Sequence, residues 1–133
     1  MSTRKEIHKA IETACSAILP DVKWTSRLVG AGKGKGPQGS ISCDRIDLIN
    51  KSKQITHASA KYEIYIIDLA GTFDVDSAAD KIVNTLNKTD MGGLCIMSNV
   101  TGIIYGSAQG FNDSNVCLVT LEVEFEYEIT KGE

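Results

Sequence analysis

The chain has 133 residues, 42% of them hydrophobic and 23% charged, with a net charge of −3, which is the composition of an ordinary globular domain and not of a disordered, collagen-like or disulfide-stapled chain. No apolar run approaches the ~20 residues of a membrane span, and the start MSTRKEIHKAIE lacks the apolar centre of a signal peptide, so a cytosolic protein of one domain over residues 1–133 is expected. A chain of this mass buries about two-thirds of its surface on folding, enough for a core without metal or disulfides.

Thr3-Arg-Lys-Glu6 has the form of a capping box, and Ile7, Ile11, Ala14 and Ile18 then recur at helical spacing until Pro20. A helix over about 3–18 follows, with His8 on its polar side and Lys5, Lys9 and Glu12 on its outer face. Trp24 to Val29 reads as a short strand leading into GAGKGKGPQGS, residues 30–40. Five glycines and a proline give that stretch little to bury and much backbone entropy, so a flexible Gly/Lys-rich hairpin loop is expected there.

Ile41 to Asn50 and Ile55 to Ala70 read as two strands of a hairpin about the turn Asn50–Lys53. Asp74 or Asp76 is placed to cap a second helix, whose apolar face is Val75, Ala78, Ala79, Ile82, Val83 and Leu86. Met91-Gly-Gly93 ends the connection. Two further strands are expected at about Leu94–Tyr105 and Val116–Ile129, joined by the Gly/Asn/Asp-rich segment 106–115. The order α-β-β-β-α-β-β predicts an α+β fold, with two amphipathic helices packed on a largely antiparallel sheet of about five strands.

Charge is unevenly placed. Residues 1–39 hold seven bases, among them Arg4, Lys5, Arg27, Lys33 and Lys35, against three acids. The last strand is the opposite: in TLEVEFEYEIT, Glu122, Glu124, Glu126 and Glu128 alternate with apolar residues, so one face is a row of carboxylates. Spaced by roughly 6.6–6.8 Å, neighbouring carboxylates repel by about 0.7 kcal/mol in water before salt screening. Each fully buried side chain on the other face contributes about 1.5–3 kcal/mol, so the row needs no special pairing. It suits an edge or surface strand, where charge discourages sheet-to-sheet aggregation.

Motifs for chemistry are missing. Cys15, Cys43, Cys95 and Cys117 are scattered without metal-ligand spacing to each other or to His8 and His57, which predicts four reduced thiols and no zinc. The glycine loop is no phosphate cradle, because Lys35 is followed by Gly36 and the loop joins strand to strand. The basic residues do not form a nucleic-acid motif with the aromatics. Four equivalent carboxylates in a regular row do not resemble an acid and a base in different environments. No catalytic, cofactor or metal residue is assigned, and a non-enzymatic role is expected.

The segment KYEIYIIDLAGTFDVDSAADKIVNTLN, residues 61–87, and the closing VCLVTLEVEFEYE, residues 116–128, follow an N-terminal helix and a long hairpin. In that pattern the chain resembles the tail terminator (tail completion, minor tail) proteins of tailed bacteriophages and prophages. The resemblance implies a structural virion protein that forms a ring, typically a hexamer, capping the tail tube and ending its polymerisation. It implies as partners the tail tube protein and the head–tail connector, with passage of DNA through the hole and no membrane. The location implied is the virion tail, reached from the host cytoplasm.

Interface or channel candidates are Arg4, Lys5, Arg27, Lys33, Lys35, Glu122, Glu124, Glu126 and Glu128. The basic third of one subunit is a candidate to meet the acidic strand of the next, and the glutamates are equally candidates to line a hole that repels phosphates. Three other readings stay open: another phage neck or head–tail joining protein, a cytosolic ferredoxin-like oligomeric enzyme or metabolite-binding protein, and an adaptor that binds through its glycine loop.

Overall fold

The computed structural model describes residues 4–25, 36–50, 55–68, 74–106 and 116–126. Along the chain these form α1 (Arg4–Ile18), β1 (Lys23–Thr25), β2 (Gln38–Asn50), β3 (Ile55–Ile67), α2 (Val75–Leu86), β4 (Met97–Gly106) and β5 (Val116–Glu126). The fold is α+β, with both helices on one face of a five-stranded, mostly antiparallel sheet of order β1-β2-β3-β5-β4.

Local sequence explains the helices. α1 buries Ile7, Ile11 and Cys15 at four-residue spacing, with Ala14 and Ile18 packed at the margin of the core. Thr3, the expected cap, lies outside the described residues. α2 is capped by Asp74, whose Oδ1 accepts from the N–H groups of Asp76 at 3.0 Å and Ser77 at 3.1 Å. Its first turn thus has its orphan donors satisfied, and Val75, Ala78, Ala79, Ile82 and Leu86 face inward.

The sheet obeys a period of two. In β3, Ala58, Ala60, Tyr62, Ile64 and Ile66 are fully buried, and in β5 Cys117, Val119, Leu121, Val123 and Phe125 are buried to within 1%. These residues meet the apolar stripes of α1 and α2 in one core.

Two expectations about strand placement are corrected. β1 does not join β2 in a hairpin: the two run parallel, with Lys23, Trp24 and Thr25 opposite Gln38, Gly39 and Ser40. A parallel pair needs a crossover of a dozen or so residues, which the span 26–37 is long enough to provide. β2 also begins at Gln38, so the end of the expected loop is strand. Its residues 30–35 lie outside the described residues. Of the edge and surface placements expected for β5, the edge is excluded, because β3 and β4 flank it on either side, while its glutamate face does lie at the surface. The borders of the sheet are β1 and β4.

Smaller differences concern where strands start and stop. Residues 94–96 belong to the turn before β4. Residues 51–53, the turn of the β2–β3 hairpin, lie outside the described residues, as do 107–115 and the end of the last strand from 127 onward.

Candidate functional site

With both helices on one side, the other face of the sheet is left open, and its chemistry follows from the strand register. Arg45, Lys61, Glu122 and Asn99 form one row across four strands. Beside it on one side runs Asp47, Ser59, Glu124 and Met97. On the other side run Ser42, Glu63, Thr120 and Gly102, and then Ser40, Tyr65, Leu118 and Ile104. The face therefore has an acidic end and an apolar end. A shallow groove of about 450 Å³ lies between them, bordered by Lys61, Glu63, Thr120, Glu122, Leu118 and Ile104.

Glu122, Glu124 and Glu126 all project onto this open face. Lys61 Nζ lies 3.8 Å from Glu122 Oε1, with both side chains about 40% exposed. At that distance and exposure the pair contributes at most about 1 kcal/mol, and its effect is to break the row of like charges. Arg45 Nε lies 3.2 Å from Asp47 Oδ2, so the basic group nearest the β2 side is also engaged. His57 stands opposite Glu126 in the β3–β5 ladder.

Threonines tie the groove wall together. β4 carries one extra residue, Thr101, between Val100 and Gly102. The hydroxyls of Thr101 and Thr120 lie 2.9 Å apart, and Thr120 Oγ1 donates to the Gly102 carbonyl at 3.2 Å. The bulge is thus held to β5, and it shifts the alternation of β4. Open-face residues are Met97 and Asn99 before it and Gly102 and Ile104 after it.

The predicted basic residues lie elsewhere. Arg4 and Lys5 are exposed in the first turn of α1, on the helical side of the sheet. The Arg4 carbonyl accepts from the Tyr62 hydroxyl at 3.3 Å. Within one chain the structure does not bring Arg4 or Lys5 to the glutamate row. Arg27, Lys33, Lys35 and Glu128 lie outside the described residues.

His8 departs from the polar position expected of it. It is partly buried, its ring centroid 5.7 Å from that of Tyr62 and its Nε2 2.8 Å from Glu12 Oε1. With Trp24, Thr25 and Ile41 it lines a cavity of about 350 Å³. The Trp24 indole nitrogen is buried and has no hydrogen-bond partner among the described residues. A third groove, about 610 Å³, runs between α1 and the end of α2 and is lined by Ala10, Thr13, Ala14, Ala17, Leu86 and Met91 among others.

All four cysteines are free thiols. Burial, with Glu12 nearby, pushes Cys15 up to about 12, and burial with Asp76 nearby does the same to Cys117. Burial and Asp90 push Cys95 up to about 11. Cys43 is raised by burial too, although the adjacent Arg4 guanidinium opposes this. These thiols stay protonated near neutrality and are poor nucleophiles. Among the described residues no group of His, Cys, Asp and Glu is placed to hold a metal ion. No described helix is long and apolar enough to cross a membrane.

Lys61, Thr101, Thr120 and Ile104 are the site residues that reading the chain does not single out. Each gains its place from a cross-strand neighbour more than ten residues away, so no local pattern marks it.

No family model matches the chain, and no curated protein matches it. Among solved structures that match, one is 14% identical over 96% of this chain and 97% of its own, with a TM-score of 0.36. A likeness of that strength bears on neither fold nor function.

Proposed function

We propose that this chain is a structural subunit of a bacteriophage or prophage tail, forming a ring of the six-membered kind that its resemblance to tail terminators implies. The ring caps the tail tube, ends tube polymerisation and presents a surface to the head–tail connector, and DNA passes through its hole. The work is done by surface complementarity, without covalent chemistry.

One observation carries the reading: an acidic open face of the sheet and a basic patch at the start of α1 lie on opposite sides of a single subunit. The open sheet face holds Asp47, Glu63, Glu122, Glu124 and Glu126 against Arg45 and Lys61. The first two turns of α1, on the far side, expose Arg4, Lys5 and Lys9 against Glu6. Such a subunit suits head-to-tail contacts, in which the acidic face of one copy meets the basic start of α1 in the next, and contacts of that kind form a ring when their rotation closes. Exposed ion pairs are individually weak, so their role is to select and orient the neighbour.

Two measurements test this. Native mass spectrometry and sedimentation at low salt are expected to show rings for the wild type. Changing Glu122, Glu124 and Glu126 to Gln together should weaken them, and added salt should weaken the wild type likewise. A triple variant that assembles like the wild type at every salt concentration removes the head-to-tail contact. Tail tubes polymerised with the purified protein should stop at a defined length, and tubes that grow as they do without it refute the tail assignment.

A further inference from the structure

β4 forms one border of the sheet, and its two halves are finished differently. Along the first half runs the chain leaving α2. The Lys88 N–H donates to the Ser98 carbonyl at 2.7 Å, and the Ser98 N–H donates to the Thr89 carbonyl at 2.8 Å. The Val100 N–H donates to Asn87 Oδ1 at 2.9 Å. These bonds show which backbone groups point away from β5: those of residues whose side chains face the helices. After the bulge the residues on that face are Ile103 and Tyr105, opposite Val119 and Cys117. Their N–H and C=O groups point outward in the same way. Among the described residues no strand lies beyond them.

Among the described residues nothing gives this second half the usual protection of a sheet border. Natural edges carry lysine, other charges or proline, or are covered. Gly102–Gly106 reads Gly-Ile-Ile-Tyr-Gly, without a charge or a proline. It bears Ile104, 62% exposed and the most exposed large hydrophobic residue described, and Tyr105, 40% exposed.

We propose that this border pairs, antiparallel, with the same border of a second copy of the chain about a two-fold axis through Ile104. The backbone directions set the register. Ile103 of each copy lies opposite Tyr105 of the other as a hydrogen-bonded pair, and the two pairs exchange four N–H···O=C bonds. Between them Ile104 meets Ile104 as the non-hydrogen-bonded pair, where side chains come closest. An axis through Ile103 or Tyr105 leaves only one outward-facing pair within the free half, so Ile104 is the centre that uses both.

A second copy is the occupant because the segment is complementary to itself. In a two-fold pairing the same few residues face one another, so a charge within the segment would meet its like. Here there is none to repel. The axis is perpendicular to the sheet and leaves both pairs of helices on one side. The open-face row Tyr65, Leu118 and Ile104 then continues across the axis into its own copy. The Asn87–Thr89 segment limits the pairing to five residues on each side, so the contact is small and the association depends on concentration. It does not rest on the ring proposed above, since a two-fold contact joins two copies and does not by itself generate a ring.

The test follows the monomer–dimer step by sedimentation velocity over a concentration series. Wild type is expected to shift towards dimer as concentration rises. Ile104→Lys and Ile104→Glu, each alone, should lose that step at least tenfold in concentration, because like charges meet at the axis. An equimolar mixture of the two should recover it, because lysine then meets glutamate. A wild type that stays monomeric, single variants that pair as well as wild type, or a mixture that fails to recover each overturns the proposal. If a charged variant does not fold, Ile104→Cys replaces it. The facing Cα atoms of a non-hydrogen-bonded pair lie about 4.5 Å apart, within disulfide reach. Mild oxidation of the Ile104→Cys variant should join two copies through a disulfide at position 104, and failure to find that linkage by peptide mapping overturns the pairing.

Discussion

Trp24 and Gly39 stand opposite each other where β1 runs parallel to β2, and the indole ring fills the space a side chain at position 39 would need. A Cβ placed on Gly39 falls 2.5 Å from Trp24 Cζ3 and 2.7 Å from Cε3. Because β1 is only three residues long, this contact is a large part of what holds it to the sheet.

Gly39→Ala is therefore expected to push the indole out and to lower stability by about 1–3 kcal/mol, the usual cost of overpacking. Trp24 is the chain's single tryptophan, so its fluorescence reports the displacement directly. Urea unfolding checks the energy. An unchanged midpoint and emission maximum would mean that β1 yields without cost.

Ser98 is fully buried, and its hydroxyl is directed at the carbonyls of Leu86 and Thr89, the latter at 3.1 Å. Its backbone holds Lys88 and Thr89 as well, so one residue of β4 fastens the C-terminal end of α2. Ser98→Ala should cost about 1–3 kcal/mol, because the carbonyls it serves lose a buried donor. Thermal unfolding measures it, and a variant as stable as wild type would show that water or backbone adjustment replaces the hydroxyl.

The buried thiols predict loss of stability in alkali. Burial pushes Cys15 and Cys117 from 9.0 to about 12 and Cys95 to about 11, and it pushes Tyr62 from 10.0 to about 12. In the unfolded chain these groups ionise from about pH 9 upward, while the folded chain keeps their protons. The unfolded state then binds fewer protons, so stability is fully present below about pH 8 and falls as pH rises towards 12. Each thiol adds a slope of up to about 1.4 kcal/mol per pH unit within that window. Urea midpoints taken in reductant at successive pH values should decline through it. A flat profile between pH 9 and 11 would show that the thiols are reached by water.

Much of this architecture can be read from periodicity. The alternation in VCLVTLEVEFE assigns each residue of β5 to a face, and the row Glu122, Glu124, Glu126 does lie together on the open side. Asp74 and the apolar stripe of 75–86 mark α2 in the same direct way. Alternation says which face a residue occupies but nothing about which strand lies beside it. Hence β5 reads as an edge or surface strand, and it is an interior strand with one surface face, where Glu122 gains Lys61 as a neighbour from a strand with its own independent pattern. The strand before a glycine-rich loop reads as half a hairpin because adjacency in sequence favours that pairing, yet β1 and β2 run parallel. His8 leaves the polar position that helical spacing gives it because Tyr62, distant in the chain, offers its ring a partly buried neighbour. The bulge at Thr101 reverses the phase of β4 in mid-strand, which no simple count of twos detects.

The position of β5 also orders events during synthesis. It is the last of the described strands along the chain, yet it separates β3 from β4. While a ribosome is still making residues before 116, the β2–β3 hairpin can form and α1 can settle on it, but β4 has nothing to pair with. The sheet closes only when residues 116–126 settle between two strands already made. Completion of this fold is therefore a late step dependent on contacts between distant parts of the chain, the kind that is slow and leaves unpaired borders exposed in the interval.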